Sequence, residues 1–117
     1  TYFDQLKPLA DKNLIELPHV PSDVEHNSHM FYLKAKDIHQ RSELIEYLRK
    51  NGIMSAFHYI PLHSSKAGVK FGRLSGIDTY TTNHSERLLR LPMHSNISNT
   101  DIKYVSSIVK SFFCNNH

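Results

Sequence analysis

Residues 29–60, HMFYLKAKDIHQRSELIEYLRKNGIMSAFHYI, decide the fold. The run 29–36 is dense in apolar and aromatic residues and predicts a strand. From Asp37 to Asn51 the period becomes helical, with Leu44, Ile45 and Leu48 on one stripe. Ser42 is available to cap the regular part of that helix, and Glu43 complements its dipole. Gly52 follows where a left-handed C-terminal residue belongs. Residues 53–60 (IMSAFHYI) predict a second strand, ended by Pro61. A strand–helix–strand unit of this size calls for an α/β (α+β) two-layer sandwich, helices on one face of a small sheet.

Working outward, Tyr2, Phe3, Leu6 and Leu9 stand at helical spacing from the first residue, with nothing ahead to cap them. This predicts a helix cut at Thr1. Residues 14–21 (LIELPHVP) are apolar, but Pro18 and Pro21 exclude a central strand, and 22–28 read as a polar turn. Residues 61–80 hold three of the four glycines, Gly68, Gly72 and Gly76, and predict one long loop. A helix follows, with Asn83 and Glu86 spaced as a capping box and Leu88, Leu89 and Leu91 as its apolar face. Leu91–Pro92–Met93 is a short extended piece, with room for one extra edge strand. The last helix is expected over Asn99–Phe113, capped by Ser98, burying Ile102, Val105, Ile108, Val109 and Phe112. Asn115, Asn116 and His117 read as a frayed end.

The length of 117 residues suits one compact domain. Apolar residues make up 39%, slightly low for a self-contained globule, which suits a domain that rests on a partner. No stretch approaches the roughly 18 apolar residues of a membrane span, and no signal-peptide pattern is present. The single cysteine, Cys114, makes no internal disulfide, so a reducing cytoplasm is the expected compartment. The net charge of +3 comes from scattered residues, with no Lys/Arg run to bind nucleic acid.

The segment 57–65, FHYIPLHSS, is the most unusual chemically: a strand carrying His58 and Tyr59 runs through Pro61 into His63 and two serines. Alternation places His58 and Tyr59 on opposite faces of a strand, and spacing alone favours Tyr59 in the core and His58 at the surface. Nine histidines invite a metal reading. The pairs His26/His29 and His58/His63 sit on no helix and lack a cysteine pair, so zinc is not supported. Cys114 stands at a helix end whose dipole opposes a thiolate. Neither a Gly-x-Ser-x-Gly elbow nor a phosphate-binding glycine pattern occurs. Composition and spacing therefore reach a small α/β domain with a polar strand end and a long loop, and no catalytic set.

The strings HMFYLKAKD (29–37), RSELIEYLRKNGI (41–53), FHYIPLHSS (57–65), AGVKFGR (67–73) and DTYTTNHSERLLRLPMH (78–94), with LADKNLIELPHVPSD (9–23), together resemble the C-terminal part of the DegT/DnrJ/EryC1/StrS sugar aminotransferases. The resemblance covers nearly the whole chain. It implies the small C-terminal domain of the aspartate-aminotransferase fold (fold type I), with 1–28 as the end of an interdomain helix plus connecting loop and 29–117 as the domain itself. It further implies a cytoplasmic homodimer whose large domain holds pyridoxal phosphate on a lysine. Glutamate would be the amino donor and C4 of a dTDP-4-keto-6-deoxyglucose the acceptor, for surface-polysaccharide amino sugars. His58 and Tyr59 match the family's His-Tyr motif near the sugar, and His63 matches the second histidine. His29 matches a position at the start of the strand and reads more readily as structural. Arg73 and Lys70 are candidates for phosphate. None of the lysines sits in the family's lysine motif, so this chain alone is expected to be inactive and to expose an apolar face at Tyr2, Phe3 and the last helix. Two other readings stay open: a free-standing ferredoxin-like ligand-binding or regulatory module, and an oligomerisation domain built on a leucine helix at 84–91.

Overall fold

The computed structural model describes residues 1–27 and 29–115; the expected fraying at Asn116 and His117 lies outside them. Helix α1 (Tyr2–Asp11) starts the chain. It is not bare at its start: Thr1 Oγ1 donates to Asp4 Oδ2 at 2.5 Å. Tyr2 corrects the expectation of an exposed face there. It is buried (3% exposed), its ring stacked on Phe31 at 5.1 Å and its hydroxyl donating to the Pro92 carbonyl at 2.9 Å. Phe3 does remain 44% exposed.

Strand β1 (Phe31–Lys34) is shorter than 29–36. Glu16 lies beside it and exchanges both backbone bonds with Lys34, at 3.0 and 2.9 Å; Pro18, with no N–H, cannot extend the pairing. Helix α2 (Ile38–Lys50) begins earlier than Ser42, because Asp37 is the cap, accepting from Gln40 N at 2.9 Å. Ser42 Oγ instead donates back to the Ile38 carbonyl at 2.7 Å. Leu44 and Leu48 are fully buried and Ile45 packs against them. Gly52 has φ +73°, the left-handed conformation its position demands.

The second strand is far shorter than 53–60: β2 is Ala56–Phe57. Residues 61–80 are not one loop. A 3₁₀ turn at Leu62–Ser64 leads into α3 (Lys66–Phe71). Helix α4 (Thr81–Arg87) then stops before the leucines, and Leu88–Leu91 form strand β3. A leucine helix over 84–91 is therefore overturned, and with it the oligomerisation reading. The reason is pairing. β3 lies between β1 and β2, antiparallel to both, with Phe31↔Leu91, Leu33↔Leu89, Ala56↔Arg90 and Phe57↔Leu89 as partners. It is the central strand, not an edge. Alternation turns Leu89 and Leu91 to one face and Arg90 to the other, and both leucines are buried.

Helix α5 (Asn99–Asn115) closes the fold. Ser98 and Asp101 cap it reciprocally, Asp101 N to Ser98 Oγ and Ser98 N to Asp101 Oδ2, both 3.0 Å. It buries Val105, Val109, Phe112 and Phe113, while Ile102 and Ile108 are half-buried. Leu6 and Leu9 of α1, Leu44 and Leu48 of α2 and the α5 stripe form one cluster with Leu33, Leu89 and Leu91. Each such side chain contributes about 1.5–3 kcal/mol by leaving water. This is the expected two-layer arrangement, helices over a small antiparallel sheet. Among the described residues no helix is long and apolar enough to cross a membrane.

Candidate functional site

Pairing ends at Phe57, so His58 and Tyr59 project beyond the sheet. They do not take opposite faces: their rings meet edge-on, centroids 4.7 Å apart at 62°. Burial is also the reverse of what spacing favours. Tyr59 is 77% exposed, whereas His58 is half-buried and its Nδ1 is buried with no hydrogen-bond partner among the described residues. Ser85 on α4 fixes the tip by donating its Oγ proton to the Tyr59 carbonyl at 2.7 Å. Arg41, which composition did not single out, supports it from α2, with its guanidinium 5.3 Å over the Phe57 ring and Nη1 donating to the Ser85 carbonyl at 3.4 Å. Burial lowers the Arg41 pKa.

His63 sits on the 3₁₀ turn. The turn is compact because Ser65 Oγ accepts from Gly68 N at 3.0 Å, starting α3, and because Gly68 has no Cβ. A Cβ there would stand 1.6 Å from the Leu62 carbonyl oxygen. His63 Nε2 lies 3.0 Å from Asp78 Oδ2 and 3.2 Å from Thr82 Oγ1. Asp78 in turn starts α4, with Oδ1 accepting from Thr81 N at 3.0 Å and Thr82 N at 3.3 Å, so it takes the capping role expected of Asn83. The Thr82 hydroxyl also donates to Asp78 Oδ2. That bond, then the Thr82 backbone bond and the His63 charge, hold the Asp78 carboxyl below its ordinary range against the opposing effect of desolvation. The run Asp78–Thr79–Tyr80–Thr81–Thr82 carried the signal for Asp78: a carboxylate three residues ahead of a helical turn.

His63 also lines a cleft of about 530 Å³ with Leu62, Gly68, Phe71, Arg73 and Thr81. Arg73 is exposed on it. Lys70 extends over the Phe71 ring at 5.0 Å. His29 is not brought here. The register puts the start of β1 beside Leu91, at the sheet end opposite to the one β2 leaves by, and among the described residues His29 hydrogen-bonds to its neighbour Asn27, Nδ1 to Oδ1 3.3 Å. The structure thus leaves His58, Tyr59 and His63 on one segment, with Arg73 lining the cleft beside His63 and His29 remote. Among the described residues no group of three or more His, Cys, Asp or Glu could hold a metal ion. Cys114 is exposed on the last turn of α5.

The sequence profile of the DegT/DnrJ/EryC1/StrS aminotransferases matches residues 1–110. The chain belongs to that family. Solved structures share its fold at low identity. Helicobacter pylori PseC, an aminotransferase involved in the biosynthesis of pseudoaminic acid, superposes with a TM-score of 0.81 at 15% identity, over 97% of this chain and 31% of its own. NtdA from Bacillus subtilis, with bound cofactor PMP, gives 0.79 at 24%, over 97% of this chain and 26% of its own. A DegT/DnrJ/EryC1/StrS aminotransferase from Brucella abortus gives 0.77 at 23%, over 95% and 28%. The chain therefore spans less than a third of these relatives. PMP is the aminated form of pyridoxal phosphate, the cofactor of this family of sugar aminotransferases.

Lys34 does not fit as covalent anchor for that cofactor. A Schiff-base lysine has to be deprotonated and unpaired to react. Lys34, whose side chain is 19% exposed, is instead held by Glu16 at 3.1 Å, and Arg87 binds the same carboxylate.

Proposed function

We propose that this chain is the small domain of a sugar-nucleotide aminotransferase, with 29–117 forming the domain and 1–28 linking it to a larger one that holds pyridoxal phosphate. In this reading the complete enzyme is a cytoplasmic homodimer that moves an amino group from glutamate to C4 of dTDP-4-keto-6-deoxyglucose. The product is dTDP-4-amino-4,6-dideoxygalactose, and the combination of HYIPLHSS (58–65) with YTT (80–82) and SERLLRLP (85–92) favours that sugar.

One observation carries the reading: the imidazole–phenol tip. Tyr59 is 77% exposed on a backbone that Ser85 holds in place, and His58 Nδ1 is buried without a hydrogen-bond partner among the described residues. A buried polar atom normally finds a partner. An exposed phenol beside it suits a ligand rich in hydroxyls, and Arg73 suits a phosphate oxygen. His58, Tyr59 and His63 bind and orient the sugar, and the chain supplies no nucleophile. His29, remote from the tip, is structural. The exposed tip also weakens the free-standing-module reading, which needs its ligand surface on the sheet.

The test is amination of dTDP-4-keto-6-deoxyglucose with glutamate by the complete enzyme. Tyr59→Phe, which removes one hydroxyl, should lower kcat/KM roughly tenfold, the equivalent of about 1.4 kcal/mol. An unchanged kcat/KM would remove Tyr59 from the site. The isolated chain, mixed with pyridoxal phosphate, should give no stoichiometric, reducible absorbance band.

A further inference from the structure

We propose that Asp78 is a positioning residue: it holds the His63 imidazole with its proton on Nε2, so that Nδ1 accepts a hydrogen bond from a ligand hydroxyl in the cleft beside α3. The inference rests on the sugar-nucleotide reading above and adds to it a residue and a direction of hydrogen bonding.

The argument is a count of donors. Two oxygens face His63 Nε2, Asp78 Oδ2 at 3.0 Å and Thr82 Oγ1 at 3.2 Å. The carboxylate only accepts. The Thr82 hydroxyl has one proton and gives it to Asp78 Oδ2, so toward His63 it too only accepts. Two acceptors facing one ring nitrogen require a proton on that nitrogen. In its neutral form, the one the tautomer experiment observes at alkaline pH, the imidazole carries that single N–H, which leaves Nδ1 as the acceptor; the charged form adds a second N–H and pulls on Asp78.

The carboxylate is not free to turn away. Its Oδ1 receives Thr81 N and Thr82 N at 3.0 and 3.3 Å, so rotation would uncap α4. Both side chains are shielded, His63 22% and Asp78 15% exposed. The ring is thus oriented by a helix start, as metal- and nucleophile-bearing histidines are oriented by a carboxylate behind them. In the same cleft Arg73 only donates. The two roles are complementary: Arg73 suits an oxyanion and His63 suits a hydroxyl.

The decisive variant is Asp78→Asn. Asparagine caps a helix as well as aspartate does, so α4 should keep its start. The amide N–H then faces the ring and drives the proton to Nδ1, as an Asp→Asn change does behind a catalytic histidine. Proton–nitrogen correlation spectra at alkaline pH should show His63 as the Nε2–H tautomer in the wild type and as Nδ1–H in Asp78→Asn. In the complete enzyme Asp78→Asn should lower kcat/KM for the dTDP-ketosugar roughly tenfold at unchanged thermal midpoint. It should add little once His63→Ala is present.

The failures separate. An Nδ1–H tautomer in the wild type, or an unchanged kcat/KM in Asp78→Asn beside an impaired Tyr59→Phe, overturns this inference and leaves the sugar-nucleotide reading standing. A wild-type enzyme that aminates no dTDP-ketosugar overturns both.

Discussion

From Met54 to Leu88 no residue is buried, whereas the segments on either side supply every buried apolar side chain among the described residues. Both regions are rich in large apolar groups. Leu33, Leu44, Leu48 and Leu89 are fully buried, while Leu62 and Tyr59 are 77%, Phe71 80% and Ile77 92% exposed. The first region satisfies itself, with α1, α2 and α5 laid over β1 and β3. The second leaves exposed apolar surface of the kind that marks interaction sites. His58, Tyr59, His63 and Arg73 all lie on the second. A rigid scaffold presenting a functional loop segment is a common division of labour, and here it falls at the end of β2.

The division predicts unequal responses to the same truncation. Leu48→Ala and Leu89→Ala should each lower the unfolding free energy by about 2–5 kcal/mol in a urea titration. Ile77→Ala should change it by less than about 0.5 kcal/mol. Comparable losses at Ile77 would erase the contrast. Gly68→Ala falls between them: its Cβ would collide with the Leu62 carbonyl, at a cost of about 1–3 kcal/mol of overpacking. The damage should appear as lost amide protection over 62–71, with the core untouched. Loss of protection throughout would mean that the exposed segment is part of the cooperative unit.

The smallest effect sharpens the boundary from the other side. Glu16 joins the two regions, since Arg87 at the end of α4 and Lys34 of β1 both bind it. The Arg87 hydrogen bond first, then Lys34, lower its carboxyl pKa below the ordinary 4.5, against desolvation. A depressed carboxyl contributes stability above its unfolded pKa and loses it as pH falls through the folded value. The urea-midpoint advantage of wild type over Glu16→Gln should therefore be constant above about pH 4.5 and shrink below it. It will be small, because Glu16 is half exposed. An advantage that grew on acidification would contradict the assignment.

How much of this was legible follows the same boundary. Helix α2 could be read because Leu44, Ile45 and Leu48 repeat at helical spacing and Gly52 ends them. The α5 stripe could be read for the same reason. Strand β3 could not: Leu88, Leu89 and Leu91 fit a short helix face as well as a strand, and only pairing on both sides decides. β2 looked long because IMSAFHYI is mostly apolar, but only Ala56 and Phe57 find partners on β3. At the site, the residues alone placed Tyr59 in the core, and the family resemblance drew attention to the tip. The His63–Asp78 contact was invisible because the glycine-bearing segment must fold to 3₁₀ turn and helix before the two meet.

The most direct measurement is hydrogen exchange on the complete enzyme with and without the dTDP-ketosugar. The account predicts that ligand slows exchange over 57–64 and around Arg73 while α1, α5 and His29 stay unchanged. Protection confined to α1, α5 or the start of β1, with none at the His58–Tyr59 tip, would contradict it.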